Sequence, residues 1–579
     1  ATHLAALPDQ DRLLLQAASV QGEHFVADVV ARVLSRPEGE LSQRLSGPLR
    51  MRHRLVEAVG LDRLAVSGQP ISRYRFRHAL LQQGAYNSLD LIERSRLHEA
   101  TGRALESLYL AEGEQPEALS PNLAHHYEAA GLPLRAARYR LAAGRWANLL
   151  SAHDEAVAHV ERGLALLEQV AASPERLPLE LELRMLLVNA ALLREGWQAP
   201  AYRQAAERLS DLVEQVNIHD YALRLAALSM LAVIHVWSAD PERGRRVGEQ
   251  LLRLAAADDQ HSRMLAHWVL GHSLMPLGQL KAAREHLERA MALHNSAAGL
   301  SLNPVMGVDP AVMGRAMLGL ILWALGYADQ GRTSLQQALQ QAQALEQAPA
   351  IAFVEFIAGI VYAIAGNDAE AALAHGATMR RLGQAGLFYR GFADVLGILS
   401  ASGAQGEARE GRQLEGQRLD SAGVADGVSA VGGGLGQASV RLVRAQIHRQ
   451  DGEASLGLRE VDLALAWIER TGVCLMEAEA WRVRGELLLA ATDDGARFAT
   501  VERCFWRALA VARRRGMGCF VLRSALSLAR FLRAQGRHAE AHTLLSDVYA
   551  GFTEGFDTVD MRAARELLAQ LTAEQMLAA

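Results

Sequence analysis

The sequence predicts an all-α protein, a solenoid of helical hairpins that is preceded by a small module of another kind. A pattern of small and large apolar residues recurs along most of the 579 residues. Stacked helix pairs need such a pattern because each pair buries its apolar face only against its neighbours. The composition agrees, since 50% of the residues are hydrophobic while only 5% are aromatic. Chains rich in alanine and leucine favour closely packed helices over sheets.

The clearest copy of the pattern covers residues 264–294, MLAHWVLGHSLMPLGQLKAAREHLERAMALH. It predicts two helices joined by a turn at Leu277 and Gly278. Small residues are required where the two helix backbones come close, here Gly271 and Ala283. The residues that mark the two facing sides, at helical spacing, are Leu270, Gly271, Leu274, Ala283, Leu287 and Ala290. This arrangement resembles a tetratricopeptide repeat, whose period is about 34 residues.

Further copies predict a superhelix of about ten hairpins over residues 111–555. A last helix, within residues 556–579, is expected to cap the array. Residues 406–437 are rich in glycine, and we expect them to form an irregular, flexible interruption. The strongest further copies are carried by Leu318, Gly319, Leu322, Gly326, Gly331, Leu335 and Ala338, by Gly359, Tyr362, Gly366, Ala371 and Ala372, and by Ala529, Leu532, Gly536, Ala541, Leu545 and Val548.

Residues 1–110 do not follow the repeat and predict a separate module with connecting helices. The expected elements are helices over residues 8–20, 25–34 and 39–59, then a β-hairpin with strands over residues 63–66 and 71–76. Three helices followed by a hairpin is the order of elements in a winged helix. Such modules often bind DNA through basic residues of one helix, a position that Arg50, Arg52 and Arg54 would occupy here.

The composition argues against several classes of function. A net charge of −5 provides no long-range attraction to nucleic acid. A phosphate-binding loop needs a lysine after a glycine-rich turn, yet the only lysine, Lys281, opens a helix of the repeat. Schiff-base chemistry lacks a candidate for the same reason. We therefore expect no catalytic residue and no cofactor site in this chain, and we disfavour nucleic acid as a partner.

Other patterns bear on compartment and metals. Cys474, Cys504 and Cys519 have no paired spacing, which suits a reducing cytoplasm. No apolar run approaches the roughly 20 residues that a membrane helix requires. His538 and His542 are four residues apart, as two metal ligands on a helix would be. The acid that should follow the first histidine in a zinc protease is absent, so we expect a solvated helix face and no metal site.

The candidate binding surface is the inner face of the first helix of each central hairpin, which lines the concave groove of a superhelix. The residues expected there are Trp237, Trp268, His272, Met275, Trp323 and Phe356. Aromatic and methionine side chains gathered on one face would suit a protein, a peptide or a small-molecule effector. The alternative is that they pack against neighbouring helices or against a loop at residues 300–310. The sequence leaves both interpretations open.

Several stretches resemble one group of bacterial regulators. The stretches are RYRFRHALLQQGAYNSL at 73–89, RSRLHEATGRALE at 94–106, LAHHYEAAGLPLRAARY at 123–139, GVDP at 307–310, LGYADQ at 325–330 and YAGFTEGFDTVDMRAARELL at 549–568. They are similar to the winged-helix and tetratricopeptide-repeat region of STAND/AAA-type predicted ATPases. Members of this group are often linked to an adenylate or guanylate cyclase domain or resemble MalT and LuxR-type regulators. The resemblance extends over nearly the whole chain.

The resemblance implies the non-catalytic sensor and scaffold region of a signalling ATPase. An effector or partner protein would bind in the groove and regulate the ATPase, which would hold ATP and magnesium on a domain upstream of Ala1. In that group the winged helix is usually an intramolecular regulatory element. Two alternatives remain: the regulatory part of a class III adenylate or guanylate cyclase holoenzyme, and a stand-alone protein–protein interaction adaptor.

Overall fold

The computed structural model describes residues 7–64, 68–110, 116–195, 199–215, 220–256, 258–294, 309–346, 348–365, 368–382, 433–491 and 498–578. Its contacts divide the chain into two compact units, Ala1–Ala190 and Ala191–Ala579. Apart from one small sheet in the first unit, the described elements are helices, which confirms the all-α prediction. None of the described helices is long and apolar enough to cross a lipid bilayer. The domain boundaries proposed from the sequence stay a prediction.

The first unit begins with a small helix–sheet module and continues as packed helices. Its elements are α1 (Asp9–Ser19), β1 (His24–Val26), α2 (Ala27–Val33), α3 (Glu38–Arg44), a π-helical segment (Leu45–Arg52), β2 (Val56–Arg63), β3 (Pro70–Phe76), α4 (Ala79–Asn87), α5 (Leu91–Leu105), a second π-helical segment (Glu106–Leu110), α6 (Pro116–Ala129), α7 (Pro133–Leu149), α8 (His153–Leu167) and α9 (Arg176–Glu195), which runs into the second unit.

The sheet corrects three predicted boundaries of the module. β3 is the central strand and pairs antiparallel with both β1 and β2. Residues 24–26 pair with β3, so the second helix starts at Ala27 instead of residue 25. The third helix was expected to reach residue 59, but Pro48 lies inside the π-helical segment and cannot donate a backbone hydrogen bond. The chain then enters β2 at Val56, earlier than the strand predicted at residues 63–66.

Aromatic packing explains why the sheet forms where it does. Phe25 on β1 and Phe76 on β3 are buried, with ring centroids 5.4 Å apart. Tyr74 stacks on Phe25 at 6.0 Å. The three rings share one core with the apolar faces of α1 and α2, so burial of aromatic surface selects this register. The short β1 was missed because three residues are too few to show alternation.

The second unit is a run of helical hairpins. Its elements are α10 (Pro200–Gln215), α11 (Tyr221–Trp237), α12 (Pro241–Leu254), α13 (Gln260–Leu274), α14 (Leu280–Leu293), α15 (Pro310–Leu325), α16 (Ala328–Ala344), α17 (Ala348–Ile360) with a π-helical extension (Val361–Ala365), α18 (Ala369–Leu382), α19 (Gly433–Gln450), α20 (Ala454–Thr471), α21 (Glu477–Ala490), α22 (Phe498–Arg515), α23 (Gly518–Ala534), α24 (His538–Ala550) and α25 (Val559–Ala578).

The predicted small residues lie where helices pack against each other. A Cβ added to Gly271 would come 2.5 Å from Leu287, across the α13–α14 hairpin. A Cβ on Gly319 would come 2.7 Å from Leu335, across α15 and α16. Consecutive helices therefore pack pairwise as the repeat pattern predicted.

Two stretches that the sequence analysis singled out lie largely outside the described residues. Most of the expected irregular stretch 406–437 lies outside them, but residues 433–437 belong to α19 and are helical. The loop at residues 300–310 likewise lies outside them up to residue 308. The C-terminal helix was predicted within residues 556–579. In the structure it is α25, which begins at Val559 and reaches Ala578.

Candidate functional site

The central face consists of the sides of α11, α13, α15 and α17 that carry the six predicted groove residues. α15 and α17 are apolar around most of their circumference, and helices of that kind are buried. Trp268, Met275, Trp323 and Phe356 are only 4–5% exposed, and His272 is 4% exposed. Trp237 is half-buried. Five of the six side chains are therefore packed rather than open to a groove, and their role in binding a partner stays a prediction.

The C-terminal hairpins lie against the central hairpins. α11 packs against α19, and α15 packs against α23. Two first helices of the central set therefore contact two of the C-terminal set, and Trp323 lies beside residues of the C-terminal hairpins. Nothing in the repeat pattern signals this contact, because each copy specifies only packing against the next one along the chain.

The first junction between the two sets surrounds the turn of the α13–α14 hairpin. The Cys474 backbone N–H donates to the Pro276 carbonyl at 2.9 Å. The Arg515 guanidinium donates to the Leu277 carbonyl at 3.2 Å and pairs with Glu477 at 2.9 Å. These bonds satisfy carbonyl groups that a helix end leaves without partners. Arg515 belongs to the run of three arginines that ends α22.

The second junction joins the turn before α16 to the loop between α24 and α25. α16 has no capping side chain of its own at Tyr327. Glu554 provides the cap: its Oε1 accepts the backbone N–H of Asp329 at 2.8 Å and that of Gln330 at 3.0 Å. In return, Asp329 Oδ2 accepts the N–H of Gly555 at 3.1 Å. This reciprocal pattern is that of a capping box, made here between segments about 225 residues apart.

An ion pair and three close backbone approaches complete the second junction. Arg332 donates two parallel hydrogen bonds to Asp557, at 2.7 and 2.9 Å. Hydrogen bonding from Arg332 lowers the pKa of the Asp557 carboxyl below its ordinary value. Gly326 has a φ of 102°, and a Cβ there would come 3.1 Å from Phe552. A Cβ on Gly555 would come 2.9 Å from Ala328, and one on Gly518 would overlap the Leu325 carbonyl.

Two of the stretches that carry the family resemblance meet at this junction. LGYADQ at 325–330 contains the receiving turn, and residues 549–568 contain Glu554, Gly555 and Asp557. Sequence reasoning singled out both stretches but did not predict that they touch. It also missed the pairing of Arg332 with Asp557 and the capping of α16 by Glu554. No local pattern relates positions so far apart.

A buried charged cluster lies on the C-terminal helices. Glu479 and Arg482 of α21, Arg523 of α23 and Asp560 of α25 are all buried. Arg482 pairs with Glu479 at 2.6 Å, and Arg523 pairs with Asp560 at 2.9 Å. Burial alone would raise the pKa of Glu479, but the two guanidiniums hold it below its ordinary value. Glu479 therefore stays ionised, and the cluster ties three helices together.

Two polar atoms on the central face have no hydrogen-bond partner among the described residues. The rings of Trp268 and His272 lie 4.2 Å apart on α13. His272 Nδ1 lies 2.9 Å from the Trp268 carbonyl oxygen and must donate to it, and burial lowers the pKa of His272 to about 4. His272 is therefore neutral at pH 7, with Nε2 a bare acceptor. Nε2 and the Trp268 indole N–H are both buried and unsatisfied.

Histidines also form a buried pair in the first unit. His98 Nδ1 and His126 Nδ1 lie 3.0 Å apart, and the Tyr86 hydroxyl lies 3.1 Å from His98 Nε2. Burial, reinforced by neighbouring histidines, lowers the pKa of His98 to about 4 and that of His126 to about 3. This pair stabilises the packing of α5 on α6.

The buried pair predicts acid sensitivity of the first unit. In the unfolded chain both histidines titrate near pH 6.5, whereas in the folded chain they stay neutral well below that pH. Their neutral pairing is fully present above about pH 6.5, and stability falls as the pH drops toward 4. We expect His126→Phe to flatten this loss in urea unfolding followed by circular dichroism. An unchanged pH profile in that variant would contradict the role of the pair.

The two histidines on α24 contact the last helix. His538 Nδ1 contacts Glu574 at 2.7 Å, and His542 contacts the Thr572 hydroxyl at 3.2 Å, both on α25. The face they occupy therefore packs on the last helix instead of being fully solvated as expected. Within the described ranges, no group of three or more histidine, cysteine or acidic side chains is placed to hold a metal ion.

Comparison with known proteins shows similarity to solved structures only. No family model and no curated protein matches the chain. A Rap protein complexed with competence and sporulation factor is 10% identical, over 76% of this chain and 99% of that one, with a TM-score of 0.36. Yeast Tom70 is 13% identical, over 85% and 94%, with a TM-score of 0.29.

A third similar structure is a STAND protein with a tetratricopeptide-repeat sensor from Pyrococcus horikoshii. It is 11% identical, over 98% of this chain and 66% of that one, with a TM-score of 0.26. Likeness at this level carries no argument about function. The helix pairs and their contacts establish the fold class: the chain is an all-α helical-repeat protein of the tetratricopeptide type, with a small helix–sheet module at its start.

Proposed function

We propose that this chain is the non-catalytic sensor region of a STAND-type signalling ATPase, and that the central face binds its effector or partner. The observation that supports the proposal is the state of that face. Its helices α11 and α15 contact the C-terminal hairpins, and a buried donor on Trp268 and a buried acceptor on His272 lack partners among the described residues. An unsatisfied buried polar group costs about 1–3 kcal/mol. A ligand that reaches these two atoms would recover that free energy.

Such an arrangement suits a two-state sensor. In the closed state the C-terminal hairpins pack on the central face, and in the open state the face is available to a partner. A ligand shifts this equilibrium only by the difference between its affinities for the two states. A ligand that binds the central face would compete with the contacts of α11 and α15 with the C-terminal hairpins, so the free energy of binding would favour opening. The paired donor and acceptor suit a ligand with amide groups, such as a peptide segment.

The ATPase itself lies outside this chain in this proposal. ATP and magnesium would bind an upstream domain, because the only lysine opens α14 and no glycine-rich loop precedes it. We place the protein in a cytoplasm, where its three cysteines stay reduced, and we expect the N-terminal module, interpreted as a winged helix, to dock on the ATPase. The cyclase-linked protein and the stand-alone adaptor remain the alternatives. An intact native mass well above 62.8 kDa, with ATP turnover, would exclude the adaptor.

A peptide-binding experiment tests the central face. Peptides would be selected from a displayed random-sequence library against the chain, and their affinities measured by calorimetry. Trp268→Phe removes the indole donor and His272→Phe removes the acceptor, while both keep an aromatic ring. We expect the double variant to bind the selected peptides at least about tenfold more weakly, since each lost hydrogen bond contributes about 1 kcal/mol.

The matched control is Trp506→Phe, because Trp506 on α22 is half-exposed and lies outside the central face. It should leave the affinities unchanged. Equal binding by the wild-type chain and the folded double variant would exclude the central face as the binding site. If no peptide is selected, the affinities of small molecules with amide groups would be measured by calorimetry instead.

A further inference from the structure

We infer that the second junction is a latch, in which Glu554 and Asp557 hold the C-terminal hairpins closed over the central face. This inference rests on the proposed function, because it names what controls access to the proposed binding surface. It concerns the contact between the turn that opens α16 and the loop that precedes α25. The latch residues are Asp329, Gln330, Arg332, Glu554 and Asp557.

The latch completes a helix end that is otherwise unfinished. The first N–H groups of any helix lack partners within the helix, and an acceptor at the N-terminus stabilises the helix. At α16 the acceptor is the Glu554 carboxylate, which also accepts from the Gln330 side chain at 2.8 Å. When the hairpins separate, water must replace Glu554. These hydrogen bonds to Glu554 are therefore made only while the hairpins are in contact.

The ionic part of the latch is weak and exposed to solvent. The Asp557 side chain is 66% exposed, and the Arg332 side chain is 28% exposed. Ion pairs with such exposure contribute little to stability and are screened by salt. The junction is therefore weak enough for a bound ligand to release it.

Packing beneath the latch is incomplete. A cavity of about 20 Å³ lies between the two segments, enough for one water molecule. Trp323 of the central face lines it, together with Cys519, Phe552 and Met561 of the C-terminal hairpins. Well-packed cores leave few such voids. The latch residues therefore lie over an imperfectly packed apolar contact, and their polar groups add to what holds the two sets together.

Two of the three cysteines lie at the junctions, so their reactivity can show whether a junction opens. Cys519 lines the cavity at the second junction, and Cys474 contacts the Leu277 carbonyl at the first. Cys504 on α22 is buried elsewhere and serves as an internal measure of unfolding. Burial raises the pKa of the Cys519 thiol to about 12, so closed molecules carry almost no reactive thiolate at pH 8. Alkylation of Cys519 should thus depend on opening.

The experiment compares alkylation rates of the three cysteines by peptide mass spectrometry, with iodoacetamide as the probe. The test variant is Glu554→Gln with Asp557→Asn, which removes both charges and keeps the side-chain shapes. The matched control is Glu540→Gln, because Glu540 forms an exposed pair with Arg537 on one side of α24 and touches neither junction. We expect Cys519 to react at least about tenfold faster in the test variant, with Cys504 unchanged and the control like the wild type.

Two results would overturn the latch. One is an unchanged Cys519 rate in the test variant. The other is an equal rise at Cys504, which would mean that these residues maintain the fold as a whole and do not gate one contact. Because no ligand is added, the latch can fail while the peptide experiment succeeds, and the reverse also holds. The two proposals are therefore tested separately.

Discussion

Replacing Arg482 by methionine is expected to destabilise the second unit by about 3–5 kcal/mol. Arg482 is buried, and its guanidinium pairs with Glu479 on one side and Glu486 on the other. Methionine fills much of the same volume but leaves the buried Glu479 with only Arg523 nearby, at 3.7 Å. A buried charge that loses its partner costs far more than an exposed one. Urea unfolding of the full chain would measure the loss.

The matched control is Arg484→Met, two residues farther along α21. Arg484 pairs with Asp462 at the surface, where the two side chains are 30% and 57% exposed. Arg484→Met should cost only about 0–1 kcal/mol, because water already solvates that pair. Adding Glu479→Leu to Arg482→Met should restore part of the stability, since it removes the carboxylate that was left unpaired. Equal losses for Arg482→Met and Arg484→Met would show that the buried cluster has no special role.

Replacing Gly518 by alanine is expected to destabilise the contact between the central and C-terminal hairpins by about 1–3 kcal/mol. A Cβ at this position would come 2.9 Å from the Leu325 carbonyl carbon and 3.0 Å from Gly326 Cα, and closer still to the Leu325 carbonyl oxygen. These neighbours are backbone atoms, so no side-chain rotation relieves the overlap. We therefore expect both a lower thermal midpoint and faster alkylation of Cys519.

Gly551→Ala is the matched control for this change. Gly551 follows α24, has a φ of −76°, and a Cβ there would come no closer than 3.4 Å to any neighbour. Alanine in place of Gly551 should leave the thermal midpoint and the Cys519 rate close to the wild-type values. If Gly518→Ala behaved in the same way, α15 and α23 would not approach as closely as the structure indicates.

Local patterns predicted the helical hairpins because the physics behind them is local. Gly271 and Ala283 are small where α13 meets α14, and the chain turns at Gly278, whose φ is positive. Each hairpin is specified by about 34 consecutive residues, which a single sequence displays in full. The N-terminal module was predicted less well, since the three-residue β1 depends on pairing with the distant β3, and the helix before β2 changes to a π-helical segment around Pro48.

The candidate site was predicted only in part. The sequence placed Trp268, His272 and Trp323 on one side of the central helices, which follows from helical periodicity. It left open whether these side chains line a groove or pack against neighbouring elements, because burial there depends on what lies across from them. Glu554 caps α16 and Asp557 binds Arg332 only when the array brings residues 225 positions apart together.

By itself, the sequence determined the fold class, the positions of the hairpins and the presence of a single lysine, because composition and short-range periodicity specify all three. The tertiary structure alone decided that α11 and α15 contact the C-terminal hairpins and that Glu554 completes α16. It also decided which charges are buried, as at Arg482 and Arg523. These features depend on contacts between repeats that are remote in the chain. Whether two remote repeats meet depends on the small rotations accumulated between all the helices that separate them. No single stretch of residues encodes that accumulated rotation.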